Sequence, residues 1–136
     1  MLGGSNLPLF FFCICDILEV NGGNVMQITI EALQEYLFER YGGWGEEQGL
    51  FMKLVEEMGE IAEVLNKRTG RKADDGTDLD TELGKELADV IHYAVAIAAV
   101  NKLDLSRIML EKDKAASIKY HHDVNLERFL SERNSE

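Results

Sequence analysis

Basic residues and proline are scarce in this sequence, and cysteine is absent after residue 15. A single proline in 136 residues leaves the chain free to form long regular elements, because proline breaks helices and strands. The 14 Lys and Arg residues are outnumbered by 25 Asp and Glu residues, which gives a net charge of −11. Binding to a nucleic-acid polymer depends on cations that displace counterions from phosphates, so this balance argues against such a partner. It leaves a single nucleotide open as a ligand, because carboxylates bind metal ions that in turn bind phosphates.

The first 25 residues differ from the rest of the chain. Leu7–Leu18 is a run of 12 mostly apolar residues that Asp16 interrupts, and it is too short to span a bilayer. No basic residue precedes Arg40, whereas a secretory signal needs positive charge ahead of its apolar stretch. We therefore predict that residues 1–25 are an extension and that the folded domain begins near Met26. A docking strand and a weak export signal are the alternatives for this segment.

Both cysteines, Cys13 and Cys15, lie in this extension. With no further Cys and no nearby His, they do not form the pattern of a metal site or of a disulfide framework. We predict that they are reduced thiols of a cytoplasmic protein, and we expect no membrane partner.

From Met26 onward, the sequence predicts α-helices separated by polar segments. Thr29 and Asp104 are the predicted N-caps of the first and the last of these helices. The predicted helices cover about residues 30–41, 46–67, 79–100 and 105–120. This pattern predicts an all-α, up-and-down bundle of about four helices over residues 26–122. The remaining residues, 123–136, are predicted to be a C-terminal tail with one weak amphipathic turn.

Two apolar patterns define the expected core. The second helix carries one stripe with helical spacing, made of Leu50, Leu54, Met58, Ile61 and Leu65. The second half of the third helix, residues 90–100, is almost wholly apolar. We therefore expect the third helix to be the central member of the bundle, with this half buried on most sides.

Acidic residues are concentrated between Glu46 and Asp89, where 13 acids accompany 6 bases. Glu57 and Glu60 lie three residues apart, about 60° from each other on one helix face, and Glu86 and Asp89 repeat this spacing on the next helix. On antiparallel neighbouring helices, four carboxylates would then converge on one volume. Mg²⁺ and Mn²⁺ prefer such hard oxygen ligands, so the spacing indicates a metal site.

Solvation is the alternative interpretation for some of these acids. Glu56, Glu60 and Glu63 taken alone are typical of a solvated helix face. Glu86 has Lys85 beside it as a simple ion-pair partner. Asp89 favours the metal site, because a short acid that opens an apolar segment needs a partner. Spacing alone gives the two interpretations equal weight.

The acidic motifs resemble those of the MazG-type nucleoside triphosphate pyrophosphohydrolases. The signature of that family is E-E-x-x-E followed by E-x-x-D, and this chain has LVEEMGEIAE at Leu54–Glu63 and ELADV at Glu86–Val90. Gly59, Ala62 and the apolar helix that follows the second motif fit as well. The resemblance extends over about residues 28–120.

The resemblance implies an all-α bundle that works as a homodimer or tetramer and binds a nucleoside triphosphate. It implies that Mg²⁺, with Mn²⁺ as a substitute, is held by Glu57, Glu60, Glu86 and Asp89, and that the catalytic acids are Glu56, Glu57 and Glu60. In the implied reaction, a water deprotonated with the help of Glu56 or Glu60 attacks the α-phosphorus, and pyrophosphate leaves. The implied role is house-cleaning of the nucleotide pool.

Substrate contacts are predicted at three places. Trp44 and Tyr41 are candidates for stacking on the base, although Trp44 as a plug of the bundle end is an equal alternative. Tyr93 lies one turn after Asp89 and is predicted to line the pocket. On the fourth helix, many family members place a Lys or Arg and an Asn where this chain has Lys112 and Asp113, which are therefore candidate substrate contacts. This departure leaves the base unspecified, with dCTP favoured by analogy alone. Lys112 or Lys114 would reach phosphate oxygens, with a solvated helix face as an equal alternative.

Two other classes of protein are the alternatives. A di-iron carboxylate bundle would need Glu-x-x-His on two helices, and Asp89-x-x-His92 resembles only half of that requirement. A non-catalytic acidic interaction module would need no metal. In that case, replacing Glu57 or Asp89 by an apolar residue would stabilise the protein.

Overall fold

The computed structural model describes residues 26–42 and 47–135, and in this part of the chain every regular element is an α-helix. The helices are α1 (Ile30–Tyr41), α2 (Glu47–Arg68), α3 (Leu79–Val100), α4 (Leu105–Tyr120) and α5 (Leu126–Arg133). The predicted all-α fold is confirmed, and the four predicted helices correspond to α1 to α4. The predictions for residues 1–25, with Cys13 and Cys15, and for Trp44 fall outside the described residues.

Polar side chains fix the starts of the helices. The Thr29 hydroxyl accepts a hydrogen bond from the backbone N–H of Ala32 at 3.1 Å, and the Asp104 carboxylate accepts one from Arg107 N–H at 3.0 Å. Both residues are the predicted N-caps, and they satisfy backbone groups that the helix itself leaves unpaired. Asp78 does the same for α3, which places the start of that helix at Leu79.

Helix α3 is the central element, because it packs against both α1 and α2. The main contacts of α4 are with α1 and α5. The largest cluster of buried apolar residues lies between α1, the beginning of α2 and the end of α3, and it consists of Leu37, Tyr41, Leu50, Val95, Ala96 and Ala99. The two alanines on α3 let α1 approach closely, so that Leu37 is completely buried.

Helices α2 and α3 pair along a seam whose residues recur at alternating spacings of four and three. The seam residues are Leu50, Leu54, Glu57, Ile61 and Val64 on α2, and Leu79, Leu83, Glu86, Val90, Tyr93 and Ile97 on α3. All of them are buried or partly buried. This spacing is that of antiparallel helix pairs with interlocking side chains. Glu57 and Glu86 therefore occupy positions at which the pattern otherwise places an apolar residue.

The predicted single stripe of α2 is wrong at two positions. Met58 and Leu65 were expected in the core, yet they are 56% and 44% exposed, whereas Val64 is buried. The predicted stripe mixed two stripes of α2. Leu50, Leu54 and Ile61 lie on the seam, whereas Met58 and Leu65 each follow a seam residue by one position, which is a rotation of about 100° around the helix. Ile91 is a related correction, because it is 52% exposed within the segment expected to be buried on most sides.

Eight of the residues one position after the seam form an exposed surface, which we call the apolar face. Its members are Phe51, Val55, Met58, Ala62 and Leu65 on α2, and Leu87, Ile91 and Ala94 on α3. In an antiparallel helix pair, a step of one residue beyond the seam turns to the same side on both helices. Helix α1 lies on the opposite side, where His92, one position before the seam, contacts Tyr41. The apolar face is thus the side of the α2–α3 pair away from α1.

The segment predicted as a tail with one amphipathic turn contains α5, which has two turns and packs against α4. The Asp113 carboxylate accepts a hydrogen bond from Leu126 N–H at 2.6 Å, and Lys114 pairs with Glu127 at 3.1 Å. These contacts hold the start of α5 on α4.

Candidate functional site

Three carboxylates converge between α2 and α3. One oxygen atom each of Glu57, Glu60 and Glu86 lies within 4.8 Å of the other two, and we call these residues the acidic trio. Glu57 and Glu86 meet because both occupy the seam, and Glu60 joins them from the adjacent turn of α2. Glu57 and Glu86 are partly buried, whereas Glu60 is exposed.

The electrostatics of the trio favour a cation. Burial raises the pKa of Glu86 to about 7, assisted by a hydrogen bond with Glu60 and by the negative charges of Glu60, Glu57 and Asp89. Without a cation, Glu86 is therefore about half protonated at neutral pH, where an ordinary glutamate is ionised. A divalent cation with hard oxygen ligands would relieve this repulsion, so the set of donors fits Mg²⁺ or Mn²⁺.

Asp89, the fourth predicted ligand, lies beside the trio rather than within it. Its side chain is exposed, one turn after Glu86. The charges of Asp89 and Glu57 both raise the pKa of Glu86 and that of Tyr93, so Asp89 lies close to these three seam residues. The structure thus brings together three of the four predicted ligands and places the fourth at the edge of the group.

The trio opens toward a polar surface formed by the residues one position before the seam. These residues are Lys53, Glu56, Glu60 and Glu63 on α2, with Lys67 one turn further along the same helix, and Glu82, Lys85, Asp89 and His92 on α3. Glu56, predicted to be catalytic, lies on this polar side next to the trio and forms an exposed ion pair of 2.7 Å with Lys53. The polar surface beside the trio and the apolar face are therefore on opposite sides of the same two helices.

A cavity of about 280 Å³ adjoins the trio on this polar side. Glu60 and Glu86 line one part of it, and Lys67, Asp75 and Thr77 line another. Asp75 and Thr77 belong to the loop between α2 and α3, which the sequence indicated only as a polar connection. A glycine with φ of +81°, Gly76, allows the tight turn between them.

Ion pairs hold this loop against α2. The Lys67 ammonium lies 2.9 Å from the Asp75 carboxylate and 3.7 Å from that of Glu63, and Lys72 pairs with Glu63 at 2.8 Å. The bond with Lys67 lowers the pKa of Asp75 well below its ordinary value. Sequence reasoning missed Lys67 as a site residue. Its spacing of seven from Glu60, which places both on one side of α2, was the signal that would have found it.

Aromatic residues lie at the other end of the trio. Tyr93 is partly buried on the seam, and burial raises its pKa. Its ring packs edge-on against His92 with centroids 5.0 Å apart, and His92 Nε2 forms a 3.0 Å hydrogen bond with the Tyr41 hydroxyl. Tyr41 itself is only 7% exposed, so the expected stacking of its ring on a base is wrong, because the ring is part of the core.

The two predicted contacts on α4 lie on a helix that packs against α1 and α5, whereas the trio lies between α2 and α3. Asp113 is hydrogen-bonded to the start of α5, which gives it a structural task. Lys112 is exposed on the same helix.

Among the helices of residues 26–42 and 47–135, none combines the length and the apolar character that a membrane span requires.

Comparison with known proteins points to one family. Residues 46–115, just over half of the chain, match the profile of the MazG nucleotide pyrophosphohydrolase domain. The uncharacterized protein YpjD of Bacillus subtilis (strain 168) is 31% identical over 74 residues, which are 54% of this chain and 65% of that protein. This chain therefore spans just under two thirds of the length of the curated relative. The profile match includes the whole acidic trio and confirms the resemblance noted in the motifs.

Proposed function

Since this chain belongs to the MazG nucleotide pyrophosphohydrolase domain family, we propose that it hydrolyses a nucleoside triphosphate to the monophosphate and pyrophosphate, with Mg²⁺ as its cofactor. The observation that carries this proposal is the convergence of Glu57, Glu60 and Glu86 within 4.8 Å. Carboxylates that repel one another within a seam of apolar residues lower the stability of the fold. A bound cation would offset this repulsion, so a metal-binding role explains why the carboxylates are there.

We assign the cation to the acidic trio, with Asp89 as a fourth ligand from the edge of the group. Mn²⁺ would serve as a substitute, because it accepts the same oxygen ligands. When bound, the cation would neutralise the carboxylates and polarise the oxygens of the substrate phosphates.

We propose Glu56 as the base of the reaction. The carboxylates of the trio would be occupied in binding the cation. Glu56 lies beside the trio on the polar side, where its ion pair with Lys53 holds it. The oxygen of a water attacks the α-phosphorus, and its proton passes to the Glu56 carboxylate. The bond between the α-phosphorus and the bridging oxygen breaks, and pyrophosphate leaves with that electron pair.

Recognition of the nucleoside is assigned to the aromatic end of the trio. Tyr93 lies on the seam close to Glu57 and near the exposed Asp89, where its ring would form the floor beneath the sugar or base. Trp44 remains the proposed stacking residue. A pyrimidine deoxynucleotide such as dCTP is the substrate to test first. Lys112 remains a proposed phosphate contact, whereas the structure supports a structural task for Asp113 in place of substrate binding.

We further propose that the chain self-associates through the apolar face. Eight neighbouring positions on α2 and α3 carry no charge, and six of their side chains are large apolar groups between 44% and 56% exposed. An exposed patch of this kind marks an interaction surface. A second copy is its natural occupant, because two identical apolar faces related by a two-fold axis complement one another.

A pyrophosphate-release assay over the standard nucleoside triphosphates and several modified ones, with and without Mg²⁺, tests the proposed reaction. We expect release with at least one substrate, and loss of release when Mg²⁺ is removed by a chelator. For variants that remove an acid of the trio, such as Glu57→Gln, the matched control for loss of negative charge is Glu35→Gln, which changes an exposed acid on α1. No release from any substrate by the folded, self-associated protein would instead favour the non-catalytic interaction module.

A further inference from the structure

Lys67 stands out in the wall of the cavity beside the acidic trio. Among the described residues that line this cavity, the other ionisable groups are acids, namely Glu60, Glu63, Asp75, Glu82 and Glu86. The Lys67 side chain is only 14% exposed, whereas that of Lys72, which shares the partner Glu63, is 54% exposed. A long cationic side chain that is this buried loses conformational freedom and hydration, so its placement has a cost.

The Lys67 ammonium points back along α2 toward the trio. The residue lies seven positions after Glu60, two turns along the same side of the helix. Its Nζ atom is 3.7 Å from an oxygen of Glu63, which lies only one turn after Glu60. The ammonium therefore contacts the side chain from the turn that carries Glu63, and this turn lies about 5 Å along the helix axis from Glu60.

We propose that Lys67 binds the phosphate groups that leave as pyrophosphate, an inference that rests on the function proposed above. With the α-phosphorus at the trio and the nucleoside toward Tyr93, the other two phosphates extend in the opposite direction, into the cavity. The cavity, at about 280 Å³, is smaller than the sites that enclose whole drug-sized ligands, but it suits two phosphate groups.

The bonds of Lys67 are compatible with this task. An ammonium has three N–H donors, of which one bonds to Asp75 at 2.9 Å and another faces Glu63 in an ion pair of 3.7 Å, too long for a hydrogen bond. A phosphate oxygen can take the third donor or replace the longer of the two contacts. As the bridging oxygen departs, negative charge grows on the pyrophosphate, and a fixed ammonium in a partly enclosed cavity stabilises that charge.

Inhibition by pyrophosphate is the readout that separates this role from a structural one. In the presence of Mg²⁺, Lys67→Met is expected to raise the inhibition constant of pyrophosphate about tenfold or more, because a charge-assisted hydrogen bond is lost. Methionine keeps the apolar stem of the side chain and so preserves its packing. The inhibition constant of the nucleoside monophosphate is expected to stay within about twofold, because that product does not enter the cavity.

Two further variants complete the design. Lys72→Met removes an exposed cation from the same Glu63 and is expected to leave the inhibition constant of pyrophosphate unchanged. Asp75→Asn releases the loop from Lys67 without removing the ammonium, and it is expected to lower that constant, because a competing carboxylate is lost. If Lys67 only tethered the loop, Lys67→Met and Asp75→Asn would change the inhibition constant in the same direction.

The outcomes distinguish this inference from the proposed function. Equal inhibition of Lys67→Met and of the unmodified protein by pyrophosphate, with nucleotide hydrolysis intact, would overturn the role of Lys67 alone. Absence of hydrolysis in the unmodified protein across the whole nucleotide panel would overturn the proposed function, and the role of Lys67 with it.

Discussion

The two sides of the α2–α3 pair are built from adjacent residues and have opposite character. The polar surface, one position before the seam, consists almost wholly of charged residues, whereas the eight members of the apolar face, one position after the seam, are all apolar. The two sets lie about 160° apart around each helix. Under the functions proposed above, a single helix pair carries a reactive surface and an association surface on opposite sides, so that neither interferes with the other. The seam between the two surfaces carries Glu57 and Glu86, the two partly buried carboxylates of the trio.

The largest expected effect comes from a change of the seam itself. Glu57→Gln keeps the size of the side chain but removes a ligand charge from the trio, and we expect pyrophosphate release to fall at least 100-fold. Loss of a metal ligand removes both binding and polarisation of the phosphates. Steady-state kinetics at several Mg²⁺ concentrations measure this effect. Activity within tenfold of the unmodified protein would remove Glu57 from the site.

The next effect concerns the residue immediately after Glu57. Met58→Asp places a charge in the centre of the apolar face, and we expect the dissociation constant of self-association to rise by about 100-fold, since burying an unpaired charge costs several kcal/mol. Analytical ultracentrifugation measures the constant. Met58→Leu keeps the apolar character and is the matched control. An unaltered oligomer in Met58→Asp would show that the apolar face is not the interface.

A change of pH tests the trio in the absence of metal. The pKa of Glu86 is about 7, above its ordinary value of 4.5, so the folded protein holds this proton more tightly than the unfolded chain does. The contribution of Glu86 to the free energy of unfolding therefore falls as the pH rises from about 4.5 to about 7. Above this range, we expect Glu86→Gln to melt a few degrees higher than the unmodified metal-free protein. Thermal melts in a chelator at pH 5 and pH 8 measure the difference, and a gain equal at both pH values would contradict it.

The smallest effect is expected at Gly59, which belongs to neither side. It lies in the interior of α2 on the back of the helix, and a Cβ atom there would meet nothing within 4 Å. Gly59→Ala is therefore expected to stabilise the protein by about 1 kcal/mol, because alanine loses less backbone entropy in a helix. Urea denaturation measures the gain. A loss of stability would show that another subunit occupies this space.

Much of the fold could be predicted from local signals. Thr29 and Asp104 fixed two helix starts because capping depends on a few neighbouring residues. The division of α2 into two stripes could not be predicted from periodicity alone. Met58 and Ile61 both satisfy a helical repeat, and only the partner helix decides which of them is covered.

The site was predictable in its centre and not at its edges. Glu57, Glu60 and Glu86 follow from the spacing of acids on two helices, but Asp89 lies outside the group of three because its position is one turn further along α3. The contribution of Asp75 depends on the path of a loop. That path is fixed by turns at Gly70 and Gly76 and by hydrogen bonds to the Asn66 carbonyl, which no periodic pattern encodes.

The alternating seam also constrains how the length of this protein can change. A single residue inserted into α2 between Leu54 and Glu57 would rotate everything before it by about 100° relative to the trio, and apolar side chains would enter the charged surface. Within the α2–α3 pair, length changes of seven residues preserve the pattern, whereas changes of one or two residues fit only in the loop over residues 69–78. Natural insertions and deletions in related chains are therefore expected to collect in that loop and to avoid the two helices that it connects.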